Sequence, residues 1–444
     1  MRIEEDFAGR LLGGALKGGA DFAEVYVKSA RNLSVEVKGR VMDALESSTD
    51  FGYSLRVIRD KRLGFSFSTD MRDANTVIEN ALEASRWTEH DEHLCLPEPS
   101  GRNPLDIFDK EVSEIDEDAA LQKALSLESA ALDTDRRITR VRKASASFSV
   151  KNVMIMNSKG VHDTYAATSC TAQLIVVAED GDDSQMAWDF EGSRFLREVP
   201  FENVGETAAR RALMLLGAKK AQALKADVIL DNSVATEFLG LFASLLSSES
   251  VQKGKSLLAG RLNQAVVSPV ISIYDDGGIP SKLGSRPFDD EGVATSRKFL
   301  IKDGVLLGYL YNCYTARKDG VISTGNAVKG SFSVLPTVGP LNLCISVSPA
   351  HVHTGGPSSL IDKGLYVTDA MGVHTANPVS GEFSVGVSGL WIEHGHLHHP
   401  VKEAIISGNL LDFFGKIKAA GDDLRFYGNL AAPSLLIADV DVSA

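Results

Sequence analysis

Apolar residues recur along the first two hundred positions in two rhythms, one of period three to four and one of period two. The first rhythm predicts a helix around Glu4–Lys17 and a second over Asp73–Trp87, whose Val77, Ile78, Ala81 and Leu82 share one face. Asp116–Leu132 and Asn203–Leu216 read as two more, the last closed by Gly217 as a C-terminal cap. The second rhythm predicts strands at Ala23–Lys28, Leu33–Lys38, Gly52–Ile58 and Arg62–Phe67. The last two are joined through Arg59–Asp60–Lys61 in a tight hairpin. A Pro-rich loop at Pro97–Pro104 separates these from a meander. It comprises Ile138–Val150, Val153–Met156, a turn at Asn157–Gly160, Val161–Ala178 and a polar turn at Glu179–Asp183. Helices packed on antiparallel strands imply an α+β domain.

The second half is organised around Lys225–Ser256. A short apolar strand, Asp227–Leu230, leads into Asp231, Asn232 and Ser233, which offer helix N-cap oxygens. Val234, Phe238, Leu241, Phe242 and Leu245 then line one face of a helix whose only ionisable side chain before Glu249 is Glu237. A helix this apolar belongs inside the protein. Strands are predicted at Val267–Tyr274, Ser296–Ile301, Leu306–Tyr311, Leu341–Val347, Gly364–Thr368, Phe383–Ile392 and Leu435–Val440, with a short helix at Leu410–Ile417. This pattern predicts a β-rich, curved antiparallel sheet or partial barrel.

Charge and glycine change along the chain. Residues 1–220 hold 67 charged residues and 14 glycines, against 38 and 25 in residues 221–444. That shift places a boundary near Gly217–Lys225, with an N-terminal α+β domain at 1–220 and a C-terminal β-rich domain at 221–444. A length of 444 residues suits two domains with full cores. The acidic start MRIEEDFAGR has no apolar segment behind it, and no run of about 18 uncharged apolar residues occurs. Cys95, Cys170, Cys313 and Cys344 are scattered, as expected of reduced thiols in a cytoplasmic protein. A net charge of −13 argues against a nucleic-acid surface. The one basic patch, Arg136, Arg137, Arg140, Arg142 and Lys143, alternates with apolar residues like the wet face of a strand.

Candidate chemistry is sparse. In EHGHLHHP, His396 and His398 would share a face of a strand and could ligate a metal beside His394 and His399. The competing reading makes Glu393–His394–Gly395–His396 a hairpin turn. His90 and His93, and His351 and His353, read as surface pairs. Asp289, Asp290 and Glu291 could bind a hard cation, but fit better as a turn whose carboxylates accept backbone N–H groups. Lys253–Ser256 (KGKS) lacks the glycine and preceding strand of a P-loop. There is no GxSxG elbow and no cysteine beside a histidine partner in sequence.

Six segments, in order, resemble the TldD/PmbA family, also called modulators of DNA gyrase. They are GADFAEVYV (Gly19–Val27), GYSLRVIRDKRLGFSFSTD (Gly52–Asp70), PFDDEG (Pro287–Gly292), TARKDGVISTGNA (Thr315–Ala327), NPVSGEFSVGVSGLWIEHG (Asn377–Gly395) and ISGNLLDFF (Ile406–Phe414). The resemblance implies a two-domain fold, dimers, and a link to cytoplasmic zinc proteolysis of peptides or unfolded segments. Catalytic TldD-type members hold zinc with an HExxxH helix and a C-terminal Cys. Aligned on Lys253–Gly254, that motif falls on Leu239, Gly240 and Ser244, and no Cys or His follows Ile417.

The chain therefore resembles the PmbA/TldE branch. The expectation is that it carries no catalytic, cofactor or metal residues, with zinc in a TldD-like partner. The expected partners are that subunit, a second copy, and peptide substrate, without nucleic acid or membrane. Two alternatives stand beside this: an independent metallopeptidase using His394–His399, and a gyrase-modulating protein acting through protein contacts.

Overall fold

The computed structural model of the chain describes residues 2–101, 104–221 and 224–443, with the backbone alone at Arg2 and Ile3. Arg102 and Asn103 of the Pro97–Pro104 loop, and Gln222 and Ala223 of the boundary segment, lie outside the described residues.

The first half is one six-stranded antiparallel sheet: β1 (Phe22–Lys38), β2 (Val41–Arg59), β3 (Arg62–Ser68), β4 (Ile138–Asn157), β5 (His162–Asp180) and β6 (Asp183–Ser193). The spatial order is β3-β2-β1-β4-β5-β6. At roughly 3.3 Å per residue β1 spans about 55 Å, so it unites the two runs predicted at 23–28 and 33–38. The turn at Asp60 and Lys61 has φ of 48° and 56°, the two positive values of a type I′ hairpin. Two stretches were not predicted as strand. Val41–Asp50 is almost wholly exposed and therefore carries no apolar rhythm; pairing with β1, Leu45 opposite Val35, makes it a strand. The mixed sequence of β6 is held likewise by β5.

Odd positions of β1 (Ala23, Val25, Val27, Leu33, Val35, Val37) all face helices. At one end these are α1 (Arg2–Lys17) and α2 (Ala74–Trp87), which bring Phe7, Leu11, Val77 and Ala81 onto Val25, Leu55 and Val57. After the short α3 (Lys110–Glu114), α4 (Glu117–Thr134) and α5 (Phe201–Met214) cover the other end. Asp116 caps α4 by accepting the N–H of Ala119 at 2.8 Å. Gly205 lets α5 touch α4, since a Cβ there would lie 2.2 Å from the carbonyl oxygen of Leu127. The even positions Glu24, Tyr26, Lys28, Asn32, Ser34 and Glu36 occupy the opposite face.

The second half is a curled, mixed sheet around helix α6 (Asn232–Leu245), followed by α7 (Ser248–Gln252), α8 (Cys313–Asp319) and α9 (Leu410–Gly415). Five strands, Leu435–Ser443, Leu224–Leu230, Lys363–Met371, Glu382–Glu393 and His396–Asn409, follow one another. Pairing of Ile405–Ser407 with Asp441–Ser443 closes them into a barrel. A six-stranded sheet that includes Ile271–Asp275, Lys298–Lys302 and Leu343–Val347 packs nearby. The run predicted as strand at Leu306–Tyr311 is strand only at Val305–Leu306. Beyond it Leu310 makes a single bridge to Ser247, and its amide bonds Leu246 O, so the segment packs as a loop. Phe238 and Phe242 of α6 meet Phe383, Phe413 and Phe414 at ring distances of 4.4–5.2 Å. Among the described residues no helix is long and apolar enough to cross a membrane.

Candidate functional site

Helix α6 emerges directly from the strand Leu224–Leu230. Asp231 caps it, accepting the Ser233 N–H at 3.0 Å, the Tyr366 hydroxyl at 2.8 Å and the Arg211 guanidinium at 2.9 Å. Its inward face is apolar: Val234, Ala235, Phe238, Leu239, Phe242 and Leu245 are buried. Its outward face opens on a cleft of about 480 Å³ lined by Gly240, Ala243, Ser244 and Ser247, among others, and by Glu249 of α7, which is paired with Lys253. Leu239 is thus in the core, Gly240 has no side chain, and the Ser244 hydroxyl donates to Leu241 O at 2.8 Å. Zinc needs imidazole, thiolate or carboxylate donors, and a hydrolytic site needs a base beside them. The side chains on this helix face do not fit a zinc ion. The one carboxylate of α6, Glu237, is pushed up to about 7 by burial and by Asp369.

Charge collects instead where the Pro287–Gly292 loop meets the even face of the first sheet. Asp289 holds the loop by accepting N–H groups of Glu291, Val293 and Ala327 at 2.9 Å each. That is the turn role read from the sequence. The next two carboxylates reach across. Glu291 pairs with Arg56 at 2.9 Å, and Arg56 pairs with Glu24 at 2.6 Å, all three buried. Glu291 also accepts the Cys313 N–H at 2.8 Å. Asp290 accepts the Tyr26 hydroxyl at 3.0 Å, Arg286 at 3.0 Å and the Lys329 N–H at 2.7 Å. Lys329 lies over the Tyr26 ring at 4.4 Å.

The electrostatics follow from burial and pairing. Burial, with Glu291 adding to it, pushes Asp289 up to about 7. Burial would also raise Asp290, but Arg286 and Lys151 hold it below the usual carboxylate range. Burial lowers Lys329 to about 8. Every carboxylate of this loop is spent on structure. Beside it a cavity of about 360 Å³ is lined by Arg56, Glu291, Cys95, His90, Tyr314 and Leu335, among others. Cys95 donates to Cys313 O at 3.4 Å, and burial raises both thiols, which makes them poor nucleophiles.

The remaining sequence candidates are dispersed. His394 and Gly395 have φ of 51° and 78°, and Glu393 pairs with His396: the hairpin, with His394 against Asp362 at 2.7 Å. A bulge opposite Trp391–Ile392 breaks the alternation, so His398 meets His399 at 3.0 Å instead of sharing a regular face with His396. Among the described residues no three His, Cys, Asp or Glu side chains gather as a metal would require. His90 bridges Arg62, His93 lies in a turn, His351 ends a short 3-10 turn, and His353 sits in a two-residue strand opposite Gly421. Lys253 pairs with Glu249, and Arg140 and Arg142 are exposed on β4. Glu24, Tyr26, Lys151 and Tyr165 were missed because their alternation with apolar neighbours reads as a wet strand face. The signal that was available is Glu24, Tyr26 and Arg56 standing among the apolar residues of Phe22–Val27 and Leu55–Ile58.

Comparison with known proteins covers the whole chain. Residues 23–85 match the family description PmbA/TldA metallopeptidase domain 1, residues 110–216 the central domain, and residues 223–444 the C-terminal domain. The metalloprotease PmbA of Escherichia coli O157:H7 is 30% identical over 437 residues, 96% of this chain and 93% of that protein. A Thermotoga maritima protein titled a modulator of a DNA gyrase superposes with a TM-score of 0.91 at 27% identity, over 99% of this chain and 100% of the other. TldE from Thermococcus kodakarensis shares the fold at a TM-score of 0.88 and 23% identity, over 99% and 100%.

Proposed function

The chain belongs to the PmbA/TldD metallopeptidase family, and from that premise we propose that it is the non-catalytic subunit of a zinc-dependent peptidase. The observation that carries the reading is what α6 holds at the three aligned positions. Where a TldD-type chain is expected to present two histidines and a glutamate, this helix presents a core leucine, a glycine and a serine bonded to its own backbone. The chain would pair with a TldD-like subunit, which holds the zinc, and help to enclose extended peptide or unfolded segments. The relatives named as metalloproteases and the TldE-like fold support the setting.

Coexpression with a TldD-type chain tests this. The expected products are a mixed dimer and peptide hydrolysis that needs the partner's zinc site and survives Ser244→Ala in this chain. Hydrolysis by this chain alone, unaffected by loss of the partner, would overturn the proposal.

A further inference from the structure

We propose that the even face of the first sheet carries a binding site for a small oxyanion, a carboxylate or a tetrahedral anion, centred on Tyr165, Lys151 and Lys28. The register places these residues together. Lys28 of β1 is opposite Val153, and Val153 is opposite Tyr165. One row away Lys151 is opposite Ala167, and its ammonium lies 5.5 Å from the centre of the Tyr165 ring. Tyr165 stands edge-on against Phe288 of the Pro287–Gly292 loop, with ring centres 5.1 Å apart. The proposal concerns a face away from α6 and does not rest on the subunit reading.

Charge balance points to an anion. Arg286, Arg194 and Lys28 act on the Tyr165 hydroxyl from one side of the balance, and Asp290 is the carboxylate that acts on it. Asp290 is already filled by Tyr26, Arg286 and the Lys329 N–H. Asp163, on the same face of β5, has a partner of its own. Neither Lys28 nor Lys151 has a carboxylate partner among the described residues, although both are partly buried. Lys28, Lys151 and Arg286 thus act on one another with Asp290 beside them and Asp289 acting on Arg286, in a medium where like charges repel strongly. Burial, with Arg286 and Arg194 adding to it, lowers Lys151 to about 7, as expected of an ammonium held among cations.

Hydrogen bonding points the same way. Among the described residues the Tyr165 hydroxyl is buried without a hydrogen-bond partner, and so are Nε of Arg194 and Nε of Arg286. All three are groups able to donate, and buried donors are normally paired. The other donors of Arg194 are taken by the carbonyls of Thr168, Leu283 and Ser285. An oxyanion would supply acceptors and negative charge together, in the short charge-assisted bonds that such groups form best. Farther along the same sheet face Ser34, Ser147 and Thr171, with Glu36, Glu46 and Lys143, line a groove of about 220 Å³.

Sulfate is the probe, titrated into the full chain by calorimetry and thermal unfolding at constant ionic strength, with chloride as the reference. Saturable heat and a rise in Tm specific to sulfate are expected. Lys151→Met should weaken sulfate binding about tenfold or more, and Lys28→Met with Lys151→Met should abolish it, while Lys143→Met at the far end of the groove leaves it unchanged. Lys151→Gln serves in place of Lys151→Met if that variant fails to fold. Sulfate acting no differently from chloride, or the double variant binding like the natural protein, would overturn the site. With sulfate bound, an acetylated tetra-alanine is added as free acid and as amide. Displacement by the acid alone assigns the site to a peptide carboxylate, and no displacement by either assigns it to free tetrahedral anions.

Discussion

The α6 cleft and the joint between the Pro287–Gly292 loop and the first sheet are built in opposite ways. The cleft occupies the position where family resemblance places the chemistry, yet α6 lines it with Gly240, Ala243 and Ser244, and the carboxylate that reaches it, Glu249 of α7, is paired with Lys253. The joint has no assigned chemistry, yet it buries Glu24, Arg56, Asp289, Asp290 and Glu291. Ionisable groups alone are therefore a poor guide to reactivity. At the joint Asp289, Asp290 and Glu291 each accept two or three bonds, and Asp290 through Tyr26 and Glu291 through Arg56 tie the loop to the first sheet. At the cleft the helix keeps its packing and its cap while presenting nothing that could bind zinc.

The comparison breaks first at Arg56. Replacing it with Ala leaves Glu24 and Glu291 buried without their cation, and loss of one partner of a buried pair costs about 3–5 kcal/mol. Urea unfolding should show that loss. A change below about 1 kcal/mol would mean that the joint is not a lock. On the inner side of α6, Phe242→Ala removes a ring packed 4.4 Å from Phe414 and should cost about 3–5 kcal/mol by the same measurement.

Glu237 sharpens the contrast by pH. Its folded pKa of about 7 lies above the ordinary 4.5. The folded state therefore binds the extra proton, and this contribution to stability is fully present below about pH 4.5 and is lost as pH rises through about 7. Glu237→Gln should flatten the fall in urea midpoint between pH 5 and 8, and an unchanged slope would refute the shift. The smallest effect belongs to the cleft itself. Gly240→Ala meets only the Leu430 side chain, at an ordinary 3.4 Å, so the gain in helix propensity should stabilise the protein by about 0.5–1 kcal/mol. Destabilisation there would show that Gly240 is needed for more than space.

Apolar rhythm made much of the fold legible. The helices at Asp73–Trp87 and Asp116–Leu132, the Asp60–Lys61 hairpin and the capped apolar α6 each carry a local signal and appear within a few residues of where the pattern places them. Val41–Asp50 and β6 did not show because cross-strand pairing, not burial, makes them strands. For the site, the apolar inner face of α6 and its cap could be read from Val234, Phe238, Phe242, Leu245 and Asp231. The joint could not. Alternation in Ala23–Lys28 tells which residues share a face, but only the tertiary fold tells whether the polar face meets water or the Pro287–Gly292 loop. The bulge that turns His398 away from His396 was equally invisible, since it is a matter of register.

Zinc per chain, measured by elemental analysis on protein saturated with the metal and then desalted, bears most directly on the central claim. The account predicts a value near zero for this chain alone, with zinc appearing only when a TldD-type subunit is present. A value near one per chain, accompanied by peptide hydrolysis without any partner, would contradict it.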